Sequence, residues 1–503
     1  MSINQTAPDT TDELDELLHD EELQQIKSKS VSGVISFFLR TLLIQGIGLA
    51  SALILSAYFS PEDFGVFGFV IQIIGILIFF SDVGLAAALI QKKETPTLVD
   101  YRTAFTAQQV LSWLIVGVIL LIISTGFVEA QVGKNGVWIL LSLGISFPLA
   151  TLQTISRIKL ERKLDFSKMV LPQIIEQIIF HGILIALAVN GVGAIAYAYA
   201  IIFRSLIGAV AMFWLAPWEI GLSWNKKAFN ELIGFGAKFQ LNDFLARIKD
   251  QLFFLFVARF LSLEQFGYIS WAKNWSIYPY NLTVQNVMAI TFPTFSRLHG
   301  HKKALSRAIE KSLYFISIFI FPILVGMSVF VFPLVTLVER YGKWEPALLS
   351  LVLFSLSISW GAISTPLTNT LNAIGHINTT LKLMVMWTVL TWVLTPILMY
   401  FYGFNGVALS SFVISFTSVF SIYYVKKVVQ IDAWGQLWHA TVAALVMTIA
   451  TVSFIPFWSQ SFLHLVFGMV IAAAAYFGTL LIVGRNKLIT EISSILAYSR
   501  KKQ

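Results

Sequence analysis

Cysteine is absent from this chain of 503 residues, so disulfide bonds, thiol catalysis and thiolate metal sites are excluded. Charge is also scarce, because Asp, Glu, Lys and Arg make up 12% of the residues, whereas a soluble domain carries about 25%. Hydrophobic residues reach 57%, with 42 Phe and 14 Trp. This composition argues against an ordinary soluble domain. It is typical of helices that face lipid, with aromatic side chains at the membrane interfaces.

The chain after residue 30 divides into apolar stretches of about 20 residues, the length that spans about 30 Å of hydrocarbon. We predict fourteen spans, near 32–58, 66–90, 104–126, 136–156, 169–189, 194–216, 233–258, 265–293, 311–337, 346–372, 381–402, 406–425, 436–457 and 462–484. Tight turns at Gly191–Gly193 and Gly403–Gly406 fall at corresponding places in the two halves. The predicted fold is an all-α polytopic membrane protein with two related six-helix lobes around a central cavity and a C-terminal helix pair.

Four parts follow from this division. Residues 1–30 hold eight acidic residues and two lysines, which predicts a cytoplasmic segment, either a short helix or a solvated tail. Residues 31–217 form the N-lobe with helices 1–6, and residues 218–428 form the C-lobe with helices 7–12. Residues 429–503 hold helices 13 and 14 and a basic cytoplasmic tail. The acidic start predicts no cleavable signal peptide, so we expect the first apolar helix to direct insertion.

A short phrase that occurs twice, 202 residues apart, supports the two-lobe organisation. Ser60–Gly65 and Ser262–Gly267 carry Ser, Glu, Phe and Gly at matching positions. Each Ser stands at a helix N-cap with Asp63 or Gln265 three residues on, which is the pattern of a capping box, and Pro61 takes the first helical position. A duplicated helix–loop–helix in a very apolar chain is typical of transporters. The alternative is that capped turns recur by chance between membrane helices.

Positive charge is distributed unevenly along the chain. With a cytoplasmic N-terminus, the inside segments carry 25 of the 35 Lys and Arg residues and the outside loops carry four. The positive-inside rule therefore predicts that both termini are cytoplasmic. Topology and attraction to anionic lipid headgroups explain the dense clusters at 157–168 and 297–311 better than nucleic acid does. The spacing of His299 and His301 resembles a metal site only superficially, and we predict neither a metal nor a cofactor.

Charged side chains inside the spans are the main functional candidates, because a charge at the bilayer centre costs about 2.5–3.5 kcal/mol and usually faces a cavity or a partner. The cations within the predicted spans are Arg40, Arg204, Lys238, Arg247, Lys249 and Lys273. The anions are Asp82, Glu176, Asp243 and Asp250, and we treat them as candidates for ion coupling. Helix 7 is unusually polar, and the repeat aligns Arg40 with Asn242 and Gln45 with Arg247. This alignment suits a shared central cavity.

Each of these charges also has a structural explanation. Asp243 and Arg247 lie one helical turn apart and are suited to a plain ion pair. Arg40 and Arg204 are each long enough to reach an interface from within a span. Glu176 with His181 fits a proton-coupling site or, as we favour, a buried hydrogen-bonded pair. For Asp82 we favour a cap or a break in helix 2 over ion coupling.

Several stretches, taken in their order and spacing, resemble bacterial polysaccharide flippases of the Wzx type, in the multidrug/oligosaccharidyl-lipid/polysaccharide exporter superfamily. No single stretch is decisive, but together they cover nearly the whole chain after residue 30. In the first lobe the stretches are Phe59–Gly65, Ser81–Lys93, Thr103–Phe105 and Leu160–Phe166. In the second they are Phe260–Tyr268, Phe292–Arg297, Tyr341–Trp344 and Asn372–Gly375.

The resemblance implies a transporter rather than an enzyme. It implies that undecaprenyl-pyrophosphate-linked oligosaccharides are flipped across the bacterial inner membrane by alternating access for surface polysaccharide assembly. The expected partners are the lipid-linked saccharide, membrane lipids, and polysaccharide polymerase and export machinery, with no nucleic acid.

Such a cargo sets the chemistry of the expected site. A diphosphate in a membrane needs fixed positive charge, while sugars need hydrogen-bonding and stacking groups. The candidate cations for the diphosphate are Arg40, Lys238, Arg247, Lys249 and Lys273. The candidate groups for the sugars are Gln45, Gln240, Asn242, Trp271, Asn274, Trp275 and Tyr278.

Two rival functions remain open at this stage. A drug or cation exporter of the same superfamily shares the fold, but we expect it to have an acidic cavity, whereas six cations outnumber four anions here. A membrane enzyme such as an O-antigen polymerase or ligase needs a sizeable external loop for its catalytic groups. No predicted outside loop is long enough to offer much room for one.

Overall fold

The computed structural model describes residues 40–500 apart from positions 93, 164 and 299. The description does not extend to the side chains at 166, 167, 234–250, 290, 293, 486 and 490–500. The acidic segment 1–30 and the start of the first predicted span lie outside the described residues. Within the described range all regular structure is helical, which confirms the all-α prediction.

Eighteen α-helices make up the described chain. In the first half they are α1 (Arg40–Tyr58), α2 (Pro61–Leu77), α3 (Leu85–Gln91), α4 (Leu98–Ser124), α5 (Phe127–Arg162), α6 (Phe166–Val189), α7 (Ala196–Leu215) and α8 (Lys226–Phe260). In the second half they are α9 (Leu263–Tyr280), α10 (Asn286–Arg297), α11 (Lys302–Leu337), α12 (Leu348–Ala373), α13 (Ile377–Tyr402), α14 (Asn405–Ser415), α15 (Val419–Val428), α16 (Ala433–Val452), α17 (Ile455–Trp458) and α18 (Phe462–Arg500).

Among the described residues, twelve helices are long and apolar enough to cross a membrane. The predicted spans that do not qualify are those near 233–258 and 265–293. Helix α8 runs through the first of them and carries many polar residues. The second is interrupted by a π-helical turn at Asn281–Gln285. The polytopic fold is confirmed, and the count of fourteen remains a prediction.

The chain divides into two compact units. One unit comprises residues up to 54 together with 70–251, and the other comprises 55–69 together with 252–503. The predicted lobe boundaries at 217 and 428 therefore stay predictions.

The first unit is built from the antiparallel helices α4 to α7, with α3 packed on α4 and α5. Its core includes Leu89, Phe105 and Trp218, and the rings of Phe105 and Trp218 meet edge to face at 5.2 Å. Between α2 and α3 the chain breaks at Val83 and Gly84, where both residues take positive φ angles of 47° and 79°. A β-branched residue rarely adopts this conformation, so the break is a strained position that its surroundings must hold in place.

The second unit is organised around α11, which packs against α12, α16 and α18. The fully buried Tyr476 donates from its hydroxyl to the Ile318 carbonyl at 3.0 Å and joins α18 to α11. Helix α9 meets α12 through small hydroxyl side chains, with the Oγ atoms of Ser276 and Ser355 at 3.2 Å. Small and hydroxyl residues are the usual contacts between membrane helices, because lipid supplies no hydrophobic force between them.

Candidate functional site

Arg40 lies on α1 of the first unit and is held by a neighbouring helix. Its Nη1 donates to Gln173 Oε1 on α6 at 2.6 Å, and its Nη2 donates to Thr41 Oγ1 at 3.3 Å. Arg157 on α5 lies close enough to repel this guanidinium electrostatically. Arg40 is half-buried, and its guanidinium is fixed in direction near a second cation, which suits a site for an anionic ligand.

The other predicted site residues are placed less closely. Gln45 is half-buried on α1, one turn beyond Arg40. Lys273 belongs to the second unit, where its Nζ lies 3.5 Å from the ring centroid of Phe254. Lys238, Gln240, Asn242, Asp243, Arg247, Lys249 and Asp250 lie on α8, outside the residues whose side chains are described. A common cavity for Arg40, Arg247 and Lys249 thus remains a prediction.

Glu176 on α6 pairs with Arg204 on α7, because Arg204 Nε lies 3.7 Å from Glu176 Oε2. Reaching a membrane interface therefore does not account for all contacts of Arg204. Its guanidinium has a carboxylate partner and also lies 5.6 Å from the centroid of the Phe180 ring. The predicted pairing of Glu176 with His181 is not among the contacts of the described residues, where the imidazole ring instead contacts Phe180 at 5.0 Å. The role of Glu176 in ion coupling stays a prediction.

Asp82 sits at the break between α2 and α3. Its Oδ1 accepts from the Ala86 backbone amide at 3.1 Å, in the first turn of α3, and also from the Gln108 side chain. The first contact satisfies a backbone amide that a helix start leaves unpaired, and the two contacts together hold the strained Val83–Gly84 turn. The geometry supports the structural role that we favoured, while ion coupling at Asp82 remains a prediction.

Both copies of the repeated phrase form the predicted capping boxes. The backbone amide of Ser60 donates to Asp63 Oδ2 at 2.9 Å, and the Asp63 amide donates to Ser60 Oγ at 3.1 Å. In the second copy, the Ser262 amide donates to Gln265 Oε1 at 3.2 Å, and the Gln265 amide donates to Ser262 Oγ at 3.1 Å. The two phrases therefore start α2 and α9 in the same way.

The two copies also contact each other, within the second unit. A β-carbon built on Gly65 would lie 2.0 Å from the Leu263 carbonyl oxygen, and one built on Gly267 would lie 1.8 Å from the Pro61 carbonyl oxygen. Each glycine thus packs against the backbone of the other copy, so that α2 and α9 cross without a side chain between them. We call Ser60–Gly65 and Ser262–Gly267 together the motif junction.

A pair of stacked tryptophans closes the motif junction against the end of α1. Trp271 and Trp344 lie parallel, with ring centroids 4.7 Å apart and an interplanar angle of 7°. Trp344 Nε1 donates to the Ser56 carbonyl at 2.7 Å, and Lys343 Nζ donates to the Ala57 carbonyl at 2.9 Å. These donors satisfy carbonyls that the C-terminus of α1 leaves without helical partners.

The sequence analysis named Trp271 as a candidate for contact with a sugar, and the structure corrects this. Trp271 is 2% exposed, stacks on Trp344 and donates from Nε1 to Ser56 Oγ at 2.8 Å. Trp275 and Tyr278 are half-buried neighbours with ring centroids 5.9 Å apart, and Asn274 is exposed. These three side chains stay candidates for contact with a saccharide.

Arg162 has a role that the sequence interpretation missed. Its Nη1 donates to the carbonyls of Leu89, Ile90 and Lys92 at 2.8, 2.9 and 2.9 Å, and its Nη2 donates to the Glu94 carbonyl at 3.2 Å. One guanidinium thus closes the C-terminal end of α3, where unpaired carbonyls and the helix dipole both favour a cation.

The model of the family described as "Polysaccharide biosynthesis protein" matches residues 54–348, more than half of the chain. The chain belongs to this family. It is similar to the succinoglycan biosynthesis transport protein ExoT of Rhizobium meliloti (strain 1021), with 20% identity over 284 residues. That match covers 56% of this chain and 57% of the relative, so the chain is matched to just over half of the relative's length.

The fold is shared with solved transporters. The lipid II flippase MurJ in an inward closed conformation superimposes with a TM-score of 0.73 at 15% identity, over 91% of this chain and 100% of that one. An inward-facing multidrug resistance MATE transporter of the MOP superfamily superimposes with a TM-score of 0.59 at 13% identity, over 78% of this chain and 98% of that one. The family match confirms the predicted resemblance, and the structures show the fold of a multi-pass transporter.

Proposed function

We propose that this protein flips a polyprenyl-diphosphate-linked oligosaccharide from the cytoplasmic to the outer face of the bacterial inner membrane. The observation that carries the proposal is Arg40, a cation on a membrane span of a polysaccharide biosynthesis family member. A cation within a span costs free energy unless it meets a partner or an anionic ligand. Gln173 Oε1 accepts from Nη1 and fixes the direction of the guanidinium. A diphosphate is an anionic ligand that a guanidinium held in this way can bind.

The apolar part of such a cargo also has a matching surface. In the second unit, a groove of about 710 Å³ lies between α11, α12 and α16. Its lining is mainly aliphatic, with Phe332 along one side and Glu345 and a few hydroxyl side chains as its polar groups. A polyprenyl chain has no hydrogen-bonding groups and fits a lining of this kind.

Alternating access gives the motif junction a role in transport. Cations can hold a diphosphate only while lipid and the opposite aqueous face are excluded, so the site must open to one side at a time. The junction joins the starts of α2 and α9, which the charge distribution predicts to lie on the outer face. Outward opening then requires the glycine contacts of the junction to separate.

Replacing Arg40 with Gln is expected to weaken binding of undecaprenyl-diphosphate saccharide by roughly 10- to 100-fold, the cost of one charge-assisted hydrogen bond. Binding of the same saccharide lipid without the diphosphate should not change. Lys249→Glu should act in the same direction. The measurement is the Kd of purified protein for each lipid, and Lys382→Gln, an exposed cation, is the matched control. Equal losses for both lipids would show that Arg40 does not bind the phosphates.

The same binding measurement distinguishes the proposed flippase from a drug exporter. A drug exporter would bind a lipophilic cation in preference to the diphosphate lipid, and Arg40→Gln would strengthen that binding by removing a repulsive charge. A flippase shows the opposite ranking. The enzyme alternative receives no support from the relatives, since the matched proteins are transporters by name.

Orientation has its own test, which the absence of cysteine makes simple. Single cysteines at Asn135 and Gln460, both exposed, should react with an impermeant thiol reagent added outside intact cells. A single cysteine at Lys302, also exposed, should react only after the membrane is opened. Labelling at position 302 in intact cells would contradict the proposed orientation.

A further inference from the structure

A cationic concavity in the second unit has no part in the proposed transport route. It has a volume of about 550 Å³ and is lined by the first turns of α11 and the end of α15 with its following loop. The cations around it are Lys302, Lys303, Arg307, Lys426 and Lys427, and no carboxylate lines it. We call this set the basic pocket.

A hydrogen bond and buried apolar side chains hold the two segments of the basic pocket in place. Ser306 Oγ donates to the Gln430 carbonyl at 2.5 Å and ties α11 to the loop after α15. Leu305 and Val429 point into the core and are 0% and 2% exposed, whereas the cations of the same segments are exposed. Apolar side chains therefore anchor both segments, and the charged side chains are left on the concave face.

Neighbouring carboxylates do not neutralise these cations. Glu310 Oε1 accepts from the Asp432 backbone amide at 2.8 Å, and Asp432 Oδ1 accepts from the Gly435 amide at 2.9 Å. None of the ion pairs among the described side chains includes a cation of the basic pocket. The N-terminal end of α11 adds the positive end of a helix dipole.

Membrane topology alone does not produce this arrangement. The positive-inside rule depends on the number of cations near each span and does not require two segments 124 residues apart to converge on one concavity. The basic pocket lies at the ends of the membrane-spanning segments Lys302–Leu337 and Asn405–Val428. The ends of membrane spans lie near the lipid phosphates, because the apolar part of a span matches the hydrocarbon thickness. Basic pockets between helix ends are a known mode of binding acidic lipid headgroups.

We propose that the basic pocket is a binding site for an anionic phospholipid, one that carries two phosphates, separate from the site for the transported cargo. Five cations exceed what one phosphate can neutralise, so a headgroup with two phosphates, as in cardiolipin, matches the pocket better than a singly charged one. The acyl chains then lie along α11 and α15. The proposal does not depend on the identity of the transported saccharide, because no residue of the pocket belongs to the Arg40 site or to the motif junction.

The test uses the purified full-length protein in lipid nanodiscs, with cardiolipin as the probe and phosphatidylcholine as the background. Lys302→Gln, Arg307→Gln, Lys426→Gln and Lys427→Gln combined should weaken cardiolipin binding at least about tenfold. A control combination, Lys163→Gln, Lys226→Gln, Lys227→Gln and Lys382→Gln, removes four exposed cations from segments predicted to lie on the same membrane face. It should change the binding by no more than about twofold.

Four further outcomes decide the proposal. Replacing the three lysines of the first combination with Arg should preserve binding, and unchanged thermal unfolding of both combinations excludes a folding defect. Equal losses in the two combinations would overturn the proposal, because general surface charge would then explain the binding. Full competition by soluble inorganic diphosphate at concentrations equal to those of the lipid would also overturn it, since the source would be a free phosphate and not a membrane lipid.

Discussion

A disulfide between cysteines at positions 68 and 270 is expected to stop transport completely for as long as the bond is intact. A β-carbon built on Gly68 lies 3.2 Å from Ser270 Cβ, close to the separation of 3.5–4.5 Å or so that disulfides adopt. These positions lie one turn inside the motif junction, on α2 and α9. Linking them fixes the two helices at the crossing that outward opening must separate.

The chain offers clean conditions for this experiment. No native cysteine competes, so the double variant Gly68→Cys with Ser270→Cys forms a single defined bond. Transport should fall to background after oxidation and recover after reduction. The matched control is Thr395→Cys with Ser410→Cys, whose hydroxyl oxygens lie 2.7 Å apart on the consecutive helices α13 and α14. Its disulfide should leave transport unchanged. Undiminished transport with the 68–270 bond fully formed would exclude separation of the junction as the transport step.

Substitution of either glycine of the motif junction is expected to cause the second large loss of transport. Gly65→Ala and Gly267→Ala are each expected to reduce transport more than tenfold. Their β-carbons would lie 2.0 Å and 1.8 Å from backbone carbonyl oxygens, which cannot rotate aside as a side chain can. The helices must then move apart, at a cost of about 1–3 kcal/mol, as in other overpacked contacts. The protein then loses the close crossing of α2 and α9 that forms the closed junction.

Gly361→Ala is the matched control, because a β-carbon at this helical position on α12 meets nothing within 4 Å. This substitution should keep transport and raise stability slightly, by up to about 1 kcal/mol from helix propensity. Thermal unfolding in detergent separates a folding defect from a transport defect. Gly65→Ala can also be added to the variant with cysteines at positions 68 and 270. If the disulfide still forms as readily as without Gly65→Ala, the two helices are still in place and the assigned contact is contradicted.

Much of the fold could be predicted from local sequence. The apolar stretches coincide with helices, and the capping boxes at Ser60 and Ser262 formed as their side chains predict. The break near Asp82 was also foreseeable, because an aspartate followed by glycine inside an apolar stretch favours a helix end. These features depend on interactions within a few residues, and one sequence contains that information.

Contacts between distant segments could not be predicted in the same way. The repeat indicated two equivalent helix starts, but it did not indicate that Gly65 packs on Leu263 and Gly267 on Pro61. A glycine at the same position of both copies was the available signal, since small residues allow membrane helices to approach closely. The roles of Trp271 and Arg162 depend on partners 215 and about 70 residues away. Aromatic or charged character alone does not distinguish such packing from ligand binding.

The measurement that tests the account most directly is transport of a fluorescent undecaprenyl-diphosphate saccharide by the purified protein in liposomes. An impermeant quencher added outside reports which fraction of the lipid lies in the outer leaflet. Without flipping, about half of the fluorescent lipid is quenched. The account predicts that the quenched fraction rises to nearly all of the lipid as the protein flips it. It also predicts that the oxidised 68–270 variant leaves it at half, and that a lipophilic drug cation is not carried. Protein-dependent movement of the drug cation with none of the diphosphate lipid would contradict the account.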